Sequence, residues 1–292
     1  MLLKDSYDRP VSNIRISITP RCNLKCIYCH REGEVKPEAE LSLEEIREIL
    51  RVSAKFGIRS VKFTGGEPLL RKDIIDIVRS VPPGMESSMT TNGILLAQYA
   101  KGLKAAGMKR VNVSIDSIIP ETYKRITGHD SLNKVLEGVQ AALDAGLTPI
   151  KINMVVLEGI NDHEIDDFLS YIRGNRNLVL QLIELMNFNN CEHHTKLNGL
   201  EDSLAARSKT IITRRMHHRK KYCLDGAEVE VVRPLHNSEF CKFCNRLRVT
   251  SDGKLKPCLL RTDNHLDIRG KSGAELEELF KKAVALREPF YK

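Results

Sequence analysis

The sequence contains no tryptophan, and aromatic residues make up only 5% of it. It lacks any run of about 18 apolar residues, so it predicts no membrane-spanning helix. The first ten residues are charged and have no apolar stretch of the kind found in secretory signals. We therefore expect a cytoplasmic protein. The scarcity of aromatic rings also disfavours a nucleic-acid-binding protein, because such proteins commonly stack bases on aromatic side chains.

The chain has 292 residues and a net charge of +8. This length can bury a large core in one elaborated domain or in a domain with an appendage. The charge is compatible with nucleic acid, or with a polyanionic small substrate such as a nucleoside triphosphate. One dense basic run spans residues 214–221, and we expect it to be a solvated surface, as most such runs are.

Eight cysteines in a reducing compartment indicate metal ligands rather than a disulfide framework. Three of them, Cys22, Cys26 and Cys29, have C-x3-C-x2-C spacing, with Tyr28 directly before the last. This spacing lets one short loop wrap around a metal centre, and three ligands leave one position open for chemistry. A zinc knuckle completed by His30 is the structural alternative.

A second motif, Gly-Gly-Glu-Pro at residues 65–68, follows a β-rich run that ends at Phe63. Glycines at a strand end let backbone groups approach a ligand such as an amine or a carboxylate. Together with the cysteine loop, this motif resembles the radical S-adenosylmethionine (SAM) superfamily. The resemblance implies that the three cysteines hold a [4Fe-4S] cluster whose fourth iron chelates the amino and carboxylate groups of SAM.

Short apolar strands alternate with amphipathic helices from residue 13 to about residue 190. We predict strands over 13–18, 58–63, 87–91, 108–115, 149–156 and 178–185, and helices over 42–55, 73–80, 95–106, 131–145 and 163–173. Such repeats imply right-handed crossovers and a parallel sheet, with the active site at the carboxyl ends of the strands. We therefore predict an α/β fold: an incomplete (β/α)6 TIM-type barrel over residues 1–190, which is also the superfamily's fold. A C-terminal extension over residues 191–292 follows it.

The extension contains a second set of three cysteines, Cys241, Cys244 and Cys258. As a zinc ribbon this set would need a fourth ligand, for which His236 and His265 are candidates. Beside a SAM-type motif, the set better fits an auxiliary iron–sulfur cluster with its own open iron.

Arg246 and Arg248 follow the second cysteine pair in a predicted strand, where alternate residues share a face. Two guanidinium groups on one face, beside a metal, form a clamp for phosphates. An exposed strand with surface charges is the alternative, but it does not account for the position of the arginines.

The two cysteine sets, Gly-Gly-Glu-Pro, Thr-Thr-Asn-Gly at 90–93 and Asn-Val-Ser-Ile-Asp at 112–116 together resemble the GTP 3′,8-cyclase (MoaA) family of molybdenum-cofactor biosynthesis. The resemblance runs from Arg9 to about Arg269 and is looser over residues 187–235. Members often end in a Gly-Gly tail that reaches into the active site. This chain ends without such a tail, so the resemblance is weakest at the C-terminus.

The resemblance implies site residues only at matching positions. It places a first [4Fe-4S] cluster on Cys22, Cys26 and Cys29, and a second, whose open iron binds guanine, on Cys241, Cys244 and Cys258. It implies SAM contacts at Tyr28, Gly66, Ser114 and Met186. It implies a GTP site at Arg15, Lys62, Thr90, Lys151, Arg246 and Arg248. It also implies catalytic roles for Cys22, Cys26, Cys29, Arg246 and Arg248. Cys191 and Cys223 belong to neither set, and we expect them to be small, partly buried side chains.

In this family an electron from the first cluster cleaves SAM to methionine and a 5′-deoxyadenosyl radical, which abstracts the 3′ hydrogen of GTP. The ribose radical attacks C8 of guanine, and one electron and one proton complete 3′,8-cyclo-7,8-dihydro-GTP. The resemblance implies a downstream cyclic pyranopterin monophosphate synthase and an unidentified electron donor, and it leaves a homodimer open. The alternatives are a radical SAM peptide-modifying enzyme, which typically has more C-terminal cysteines, and a zinc-containing nucleic-acid-binding protein.

Replacing one cysteine from each set separates the two predicted clusters. We expect Cys22→Ala to abolish SAM cleavage, because the first cluster loses a ligand. We expect Cys258→Ala to impair cyclisation more than it impairs assembly of the first cluster. Iron content and product formation measure both effects, and normal cyclisation by the Cys258 variant would contradict the second cluster.

Overall fold

A computed structural model describes residues 2–31, 40–186, 193, 197–235 and 237–290. Its first six strands are β1 (Asn13–Ser17), β2 (Ser60–Thr64), β3 (Glu86–Thr91), β4 (Arg110–Ser114), β5 (Ile150–Val156) and β6 (Leu178–Glu184). The helices between them are α1 (Leu43–Lys55), α2 (Ile74–Arg79), α3 (Leu96–Ala105), α4 (Pro120–Thr127), α5 (Leu132–Asp144) and α6 (Ile165–Ile172). All six predicted strands and five predicted helices are confirmed, with ends within two residues of those predicted.

Helix α1 begins with a capping box. The Ser42 hydroxyl accepts the Glu45 N–H, and the Glu45 carboxylate accepts the Ser42 N–H at 2.8 Å. Helix α4 was not predicted, because only Tyr123 and Ile126 of its eight residues are buried apolar side chains, too few to show a helical period. It begins with Pro120, whose fixed φ suits the first helical position.

The chain after residue 190 contributes further helices and strands. They are α7 (Asn198–Arg207), β7 (Thr210–Thr213), β8 (Lys220–Leu224), β9 (Ala227–Val232), α8 (Ser238–Lys242), β10 (Arg246–Val249), β11 (Lys254–Lys256), β12 (Leu266–Asp267) and α9 (Gly273–Ala285). The described residues form one sheet with the order β12-β11-β10-β1-β2-β3-β4-β5-β6-β9-β8-β7. Strands β10 and β9 pair in parallel with β1 and β6, so the late strands extend both edges of the early sheet. The domain boundary near residue 190 stays a prediction.

The two faces of the sheet differ in chemistry, as alternation along β1 illustrates. Ile14 and Ile16 are fully buried in the hydrophobic core with Ile46 of α1, whereas Arg15 between them lines a cavity on the opposite face. Helices thus pack on one face and polar side chains gather on the other, which confirms the predicted α/β class. No described helix is long and apolar enough to cross a membrane.

Gly138 tests the close packing of α5 on the start of α3. A Cβ at this position would lie 2.5 Å from the carbonyl oxygen of Gly93 and 3.1 Å from Cβ of Leu96. We expect Gly138→Ala to lower the free energy of unfolding by roughly 1–3 kcal/mol, because backbone atoms must move to make room. Urea denaturation measures the change.

Gly199 in α7 provides the matched control. No described atom lies within 4 Å of a Cβ added there. Gly199→Ala should therefore raise the free energy of unfolding by about 0.5–1 kcal/mol, as expected for glycine replaced inside a helix. Equal effects of the two substitutions would contradict the packing described for Gly138.

Candidate active site

A cavity of about 580 Å³ lies on the polar face of the sheet. Strands β1 to β6 and β10 line it, together with the connection between β7 and β8 and residues near the C-terminus. Twelve of the sixteen predicted site residues contribute to its wall: Arg15, Tyr28, Lys62, Thr90, Ser114, Lys151, Met186, Cys241, Cys244, Arg246, Arg248 and Cys258. The other four, Cys22, Cys26, Cys29 and Gly66, lie in the adjoining loops. The roles assigned to these residues remain predictions.

Backbone hydrogen bonds hold the first cysteine loop against the last turn of α4. The N–H groups of Lys25 and Ile27 donate to carbonyl oxygens of that turn, both at 3.0 Å. Within the loop, the N–H of Cys29 donates to the carbonyl oxygen of Cys26 at 3.1 Å. The unpredicted helix α4 therefore shapes the loop whose cysteines the sequence singled out. Cys22 and Cys29 are exposed and Cys26 is half-buried.

The Gly-Gly-Glu motif packs directly against the chain that leads into this loop. A Cβ on Gly66 would lie 2.2 Å from the carbonyl oxygen of Arg21, so no side chain fits there. The buried carboxylate of Glu67 accepts from the Thr91 hydroxyl and the Asn92 N–H, both at 2.7 Å. Burial raises the pKa of Glu67 to about 7, although these hydrogen bonds lower it. Glu67 thus joins two of the motifs found in the sequence.

Tyr28 is anchored by the buried carboxylate of Asp116, the last residue of the Asn-Val-Ser-Ile-Asp motif. Its hydroxyl donates to Oδ2 of Asp116 at 2.7 Å, and the Val155 N–H donates to Oδ1 at 2.9 Å. Burial raises the pKa of Asp116 to about 6, whereas both hydrogen bonds lower it. At neutral pH the carboxylate is therefore largely ionised and depends on its two donors.

A buried ionic group from both chain ends supports the second cysteine set. Arg9 donates to the carbonyl oxygen of Cys241 at 2.9 Å, and Arg287 donates to that of Cys244. Between them, the Asp5 carboxylate lies 2.7 Å from Nε of Arg9 and 3.1 Å from Nη1 of Arg287. These contacts fix the backbone that presents the two thiols to the cavity.

The chemistry of the thiols fits iron–sulfur ligation. Burial alone would raise the pKa of Cys244, but the guanidinium groups of Arg287 and Arg246 bring it below its ordinary value. This direction favours the thiolate, which is the form that binds iron. Both cysteine sets consist of free thiols.

The described residues contain no group of three or more Cys, His, Asp or Glu side chains placed to hold one metal ion. A [4Fe-4S] cluster spaces its cysteine ligands more widely than a zinc ion does, since each thiolate binds a different iron. His30 and His265, candidate fourth ligands of the two zinc alternatives, lie among the described residues. The other zinc candidate, His236, lies outside the described residues.

Like charges face one another where β10 pairs with β1. Arg248 is the register partner of Arg15, and Arg246 is that of Asn13, whose side-chain oxygen accepts from Nε of Arg246 at 2.9 Å. Burial lowers the pKa of Lys62 well below its ordinary value, and the positive charges of the neighbouring Arg15 and Arg246 lower it further. This part of the cavity is therefore strongly positive, and an anion bound there would relieve the repulsion.

A second group of cations surrounds Glu230 of β9. Its carboxylate lies 2.5 Å from Nζ of Lys151, 3.6 Å from Nη1 of Arg219 and 3.8 Å from Nε of Arg214. Burial lowers the pKa of Lys151 to about 8, although Glu230 raises it. The expectation of a solvated surface over 214–221 holds for Arg214, Arg215 and Lys220, which are exposed. It is wrong for His217, which is buried, and for Arg219, whose side chain is 15% exposed and lines the cavity.

Further polar residues line the cavity without a role assigned to them from the sequence. Asn112 and Asn153 are connected across β4 and β5 by a hydrogen bond of 3.3 Å, and Lys62 donates to Asn112 at 2.9 Å. Polar residues at alternate positions of a buried strand could have indicated them. Cys223 is half-buried in β8, as expected, and Cys191 lies outside the described residues.

Comparison with protein families identifies the class. The model of the radical SAM superfamily matches residues 16–172, and that of the Molybdenum Cofactor Synthesis C family matches residues 178–292. The chain is 52% identical to the "Probable GTP 3′,8-cyclase" of Methanocella arvoryzae, over all of this chain and 95% of that protein. It is 48% identical to the Archaeoglobus fulgidus protein of the same name, over the full length of both.

Solved structures support the fold independently. The Streptococcus suis SuiB structure with precursor peptide SuiA aligns with a TM-score of 0.68 and 16% identity, over 93% of this chain and 64% of that one. The structure of anSMEcpe with AdoMet and Cp18Cys peptide aligns with a TM-score of 0.63 and 19% identity, over 94% and 81%. The chain therefore belongs to the radical SAM superfamily and, within it, to the family of the GTP 3′,8-cyclases.

The bond between Tyr28 and Asp116 predicts a pH-dependent cost for Tyr28→Phe. At pH 8 Asp116 is ionised, and losing the phenol should lower the free energy of unfolding by about 1.5–3 kcal/mol. At pH 5, below its folded pKa of about 6, the carboxyl is largely protonated and the loss should be smaller. Thermal unfolding at the two pH values measures the difference.

Tyr123→Phe is the control, because its hydroxyl lies 3.4 Å from the neutral Ser131 hydroxyl. Its cost should be the same at both pH values. A pH-independent cost for Tyr28→Phe would contradict the ionised Asp116.

Proposed function

We propose that this protein is a GTP 3′,8-cyclase that uses SAM to convert GTP into 3′,8-cyclo-7,8-dihydro-GTP, the first step of molybdopterin biosynthesis. The observation that carries the proposal is one cavity that joins the second cysteine set to partly buried cations from β1, β2, β5 and β10. The names of full-length relatives at 48–52% identity support the same reaction.

The first cysteine loop and its neighbours form the SAM end of the site. A [4Fe-4S] cluster on Cys22, Cys26 and Cys29 would supply the electron that cleaves SAM. Gly66 lets its motif pack against the Arg21 carbonyl oxygen, where no Cβ would fit, and so sets the path of the backbone beside this loop. The remaining proposed SAM contacts, Tyr28, Ser114 and Met186, line the adjoining cavity wall.

The second cysteine set would hold the cluster that binds the guanine. Its main-chain supports, Arg9 and Arg287, are almost fully buried and are neutralised in part by Asp5. Because both arginines donate to carbonyl oxygens of the cysteine backbone, they restrict how Cys241 and Cys244 can move. This rigidity would keep the guanine in one orientation toward the reacting ribose carbon.

The cations of the cavity would bind the triphosphate. Arg15, Lys62 and Arg248 lie close together, although their mutual repulsion is unfavourable without an anion. Guanidinium groups donate in pairs to phosphate oxygens, so Arg246 and Arg248 are suited to this contact. An anion beside Lys151 would raise its pKa from about 8 and keep the ammonium charged.

An apolar wall would protect the reacting atoms from water. Tyr28 and Val155 pack against a buried cluster that contains Ile126, Leu157 and Leu185. These hydrophobic side chains exclude solvent from this side of the site.

The peptide-modifying alternative has no support beyond a shared fold. The SuiB and anSMEcpe structures contain peptides, but their identity to this chain is below 20% and supports the fold alone.

Free cysteines among the described residues agree with a reducing cytoplasm. The reaction also requires an external electron donor, and a downstream cyclic pyranopterin monophosphate synthase would consume its product.

The proposal is tested with protein purified without oxygen and reconstituted with iron and sulfide. We expect about eight irons per chain and, with SAM, reductant and GTP, release of 5′-deoxyadenosine together with the cyclised product. ATP in place of GTP is the control and should give no cyclised product. SAM cleavage that is indifferent to GTP would refute the proposed substrate, and zinc without iron would refute the reaction class.

A further inference from the structure

The connection between β7 and β8 places an incompletely paired arginine in the cavity wall. The Arg219 side chain is 15% exposed, and its buried Nε has no hydrogen-bond partner among the described residues. Burying a donor without an acceptor costs free energy, and an anion held by the rest of the guanidinium group would offset the cost of placing Arg219 here. Arg214 of the same connection lies beside it in the wall.

The carboxylate of Glu230, next to Arg219 and Arg214, carries too little negative charge to neutralise the cations around it. Glu230 is the common partner of Lys151, Arg219 and Arg214, and Gln181 also donates to it at 3.3 Å. One carboxylate among three cations leaves two positive charges uncompensated. The neutral form of His217 agrees with this excess, because burial and the nearby Arg246 and Arg219 lower its pKa.

Met216 lies between the two groups of cations, the one that contains Arg246 and the one around Glu230. Its sulfur lies 3.4 Å from Nη2 of Arg246 and 3.9 Å from Nη2 of Arg219. A thioether is a weak acceptor, so it does little to hold two like charges together. The turn is fixed at this place by the N–H of His217, which donates to the carbonyl oxygen of Phe243 at 3.1 Å.

We propose that Arg219 and Arg214 bind the phosphate groups of the substrate, and that Glu230 is the positioning residue that gathers them with Lys151. This inference rests on the proposed function, since it takes the substrate to be a nucleoside triphosphate. It makes the connection between β7 and β8 a specificity determinant. Its two guanidinium groups interact with oxygens that a nucleoside without phosphates lacks.

Equilibrium binding to the reconstituted holoenzyme tests the phosphate contacts, with GTP and guanosine as the two probes. We expect Arg219→Gln to weaken GTP binding by at least about tenfold, as for the loss of a charge-assisted hydrogen bond, and to change guanosine binding by less than about twofold. The matched control is Arg207→Gln, which removes the exposed ion pair between Arg207 of α7 and Asp166 of α6. This variant should bind both probes like the wild type.

Glu230→Gln distinguishes positioning from simple charge. Removing a negative charge beside an anion site should strengthen GTP binding if only Coulomb attraction matters. If Glu230 positions Lys151 and Arg219, the variant should bind GTP several-fold more weakly while SAM binding is retained. Stronger GTP binding by this variant would overturn the positioning role.

Arg214→Gln keeps the test decisive if the Arg219 variant does not fold, because Arg214 is 44% exposed and tolerates replacement. It should weaken GTP binding by about threefold or more. If the Arg219 variant folds, wild-type GTP affinity in that variant would overturn the inference while leaving the proposed function intact. If it does not fold, the same result in the Arg214 variant would do so. Failure of the wild type itself to bind GTP would instead overturn the proposed function on which it rests.

Discussion

The parallel pairing of β10 with β1 is the contact on which the candidate site depends. It places Arg248 beside Arg15, although the two residues are far apart in the chain. Like charges in register destabilise a sheet, so the pairing makes sense as a binding surface for an anion. The same strand continues from Cys244, so one pairing sets the position of both the arginines and the second cysteine set.

The opposite edge of the sheet completes the cavity by the same means. Because β9 pairs in parallel with β6, Glu230 comes to lie opposite Gln181 and within reach of Lys151. The positive cavity is therefore assembled from strands added at both edges of the six-stranded sheet. The early part of the chain supplies the SAM motifs and the cations Arg15, Lys62 and Lys151. The late part adds Arg214, Arg219, Arg246 and Arg248.

Local patterns were sufficient to predict the six strands and five of the helices between them. Periodicity and capping are short-range signals, and the buried alternation around Ile14 and the capping box at Ser42 are examples. The cysteine spacings also predicted which thiols lie near the cavity. Helix α4 was missed because it has only two buried apolar side chains, Tyr123 and Ile126, which do not establish a helical period.

Long-range pairing was not predictable in the same way. Nothing within residues 214–221 distinguishes a solvated arginine from Arg219, because its burial depends on β8 and β9 joining the sheet. The support of Cys241 by Arg9 likewise joins residues more than 200 positions apart. Such contacts depend on the register of distant strands and chain ends, which a single sequence does not reveal.

The most direct test of the central claim is to follow the 3′ hydrogen of GTP. GTP carrying deuterium at C3′ is incubated with the reconstituted protein, SAM and reductant, and the 5′-deoxyadenosine is analysed by mass spectrometry. If the cavity binds SAM and GTP together for cyclisation, the 5′-deoxyadenosine gains one deuterium. Deuterium-free 5′-deoxyadenosine, formed equally well without GTP, would contradict the account.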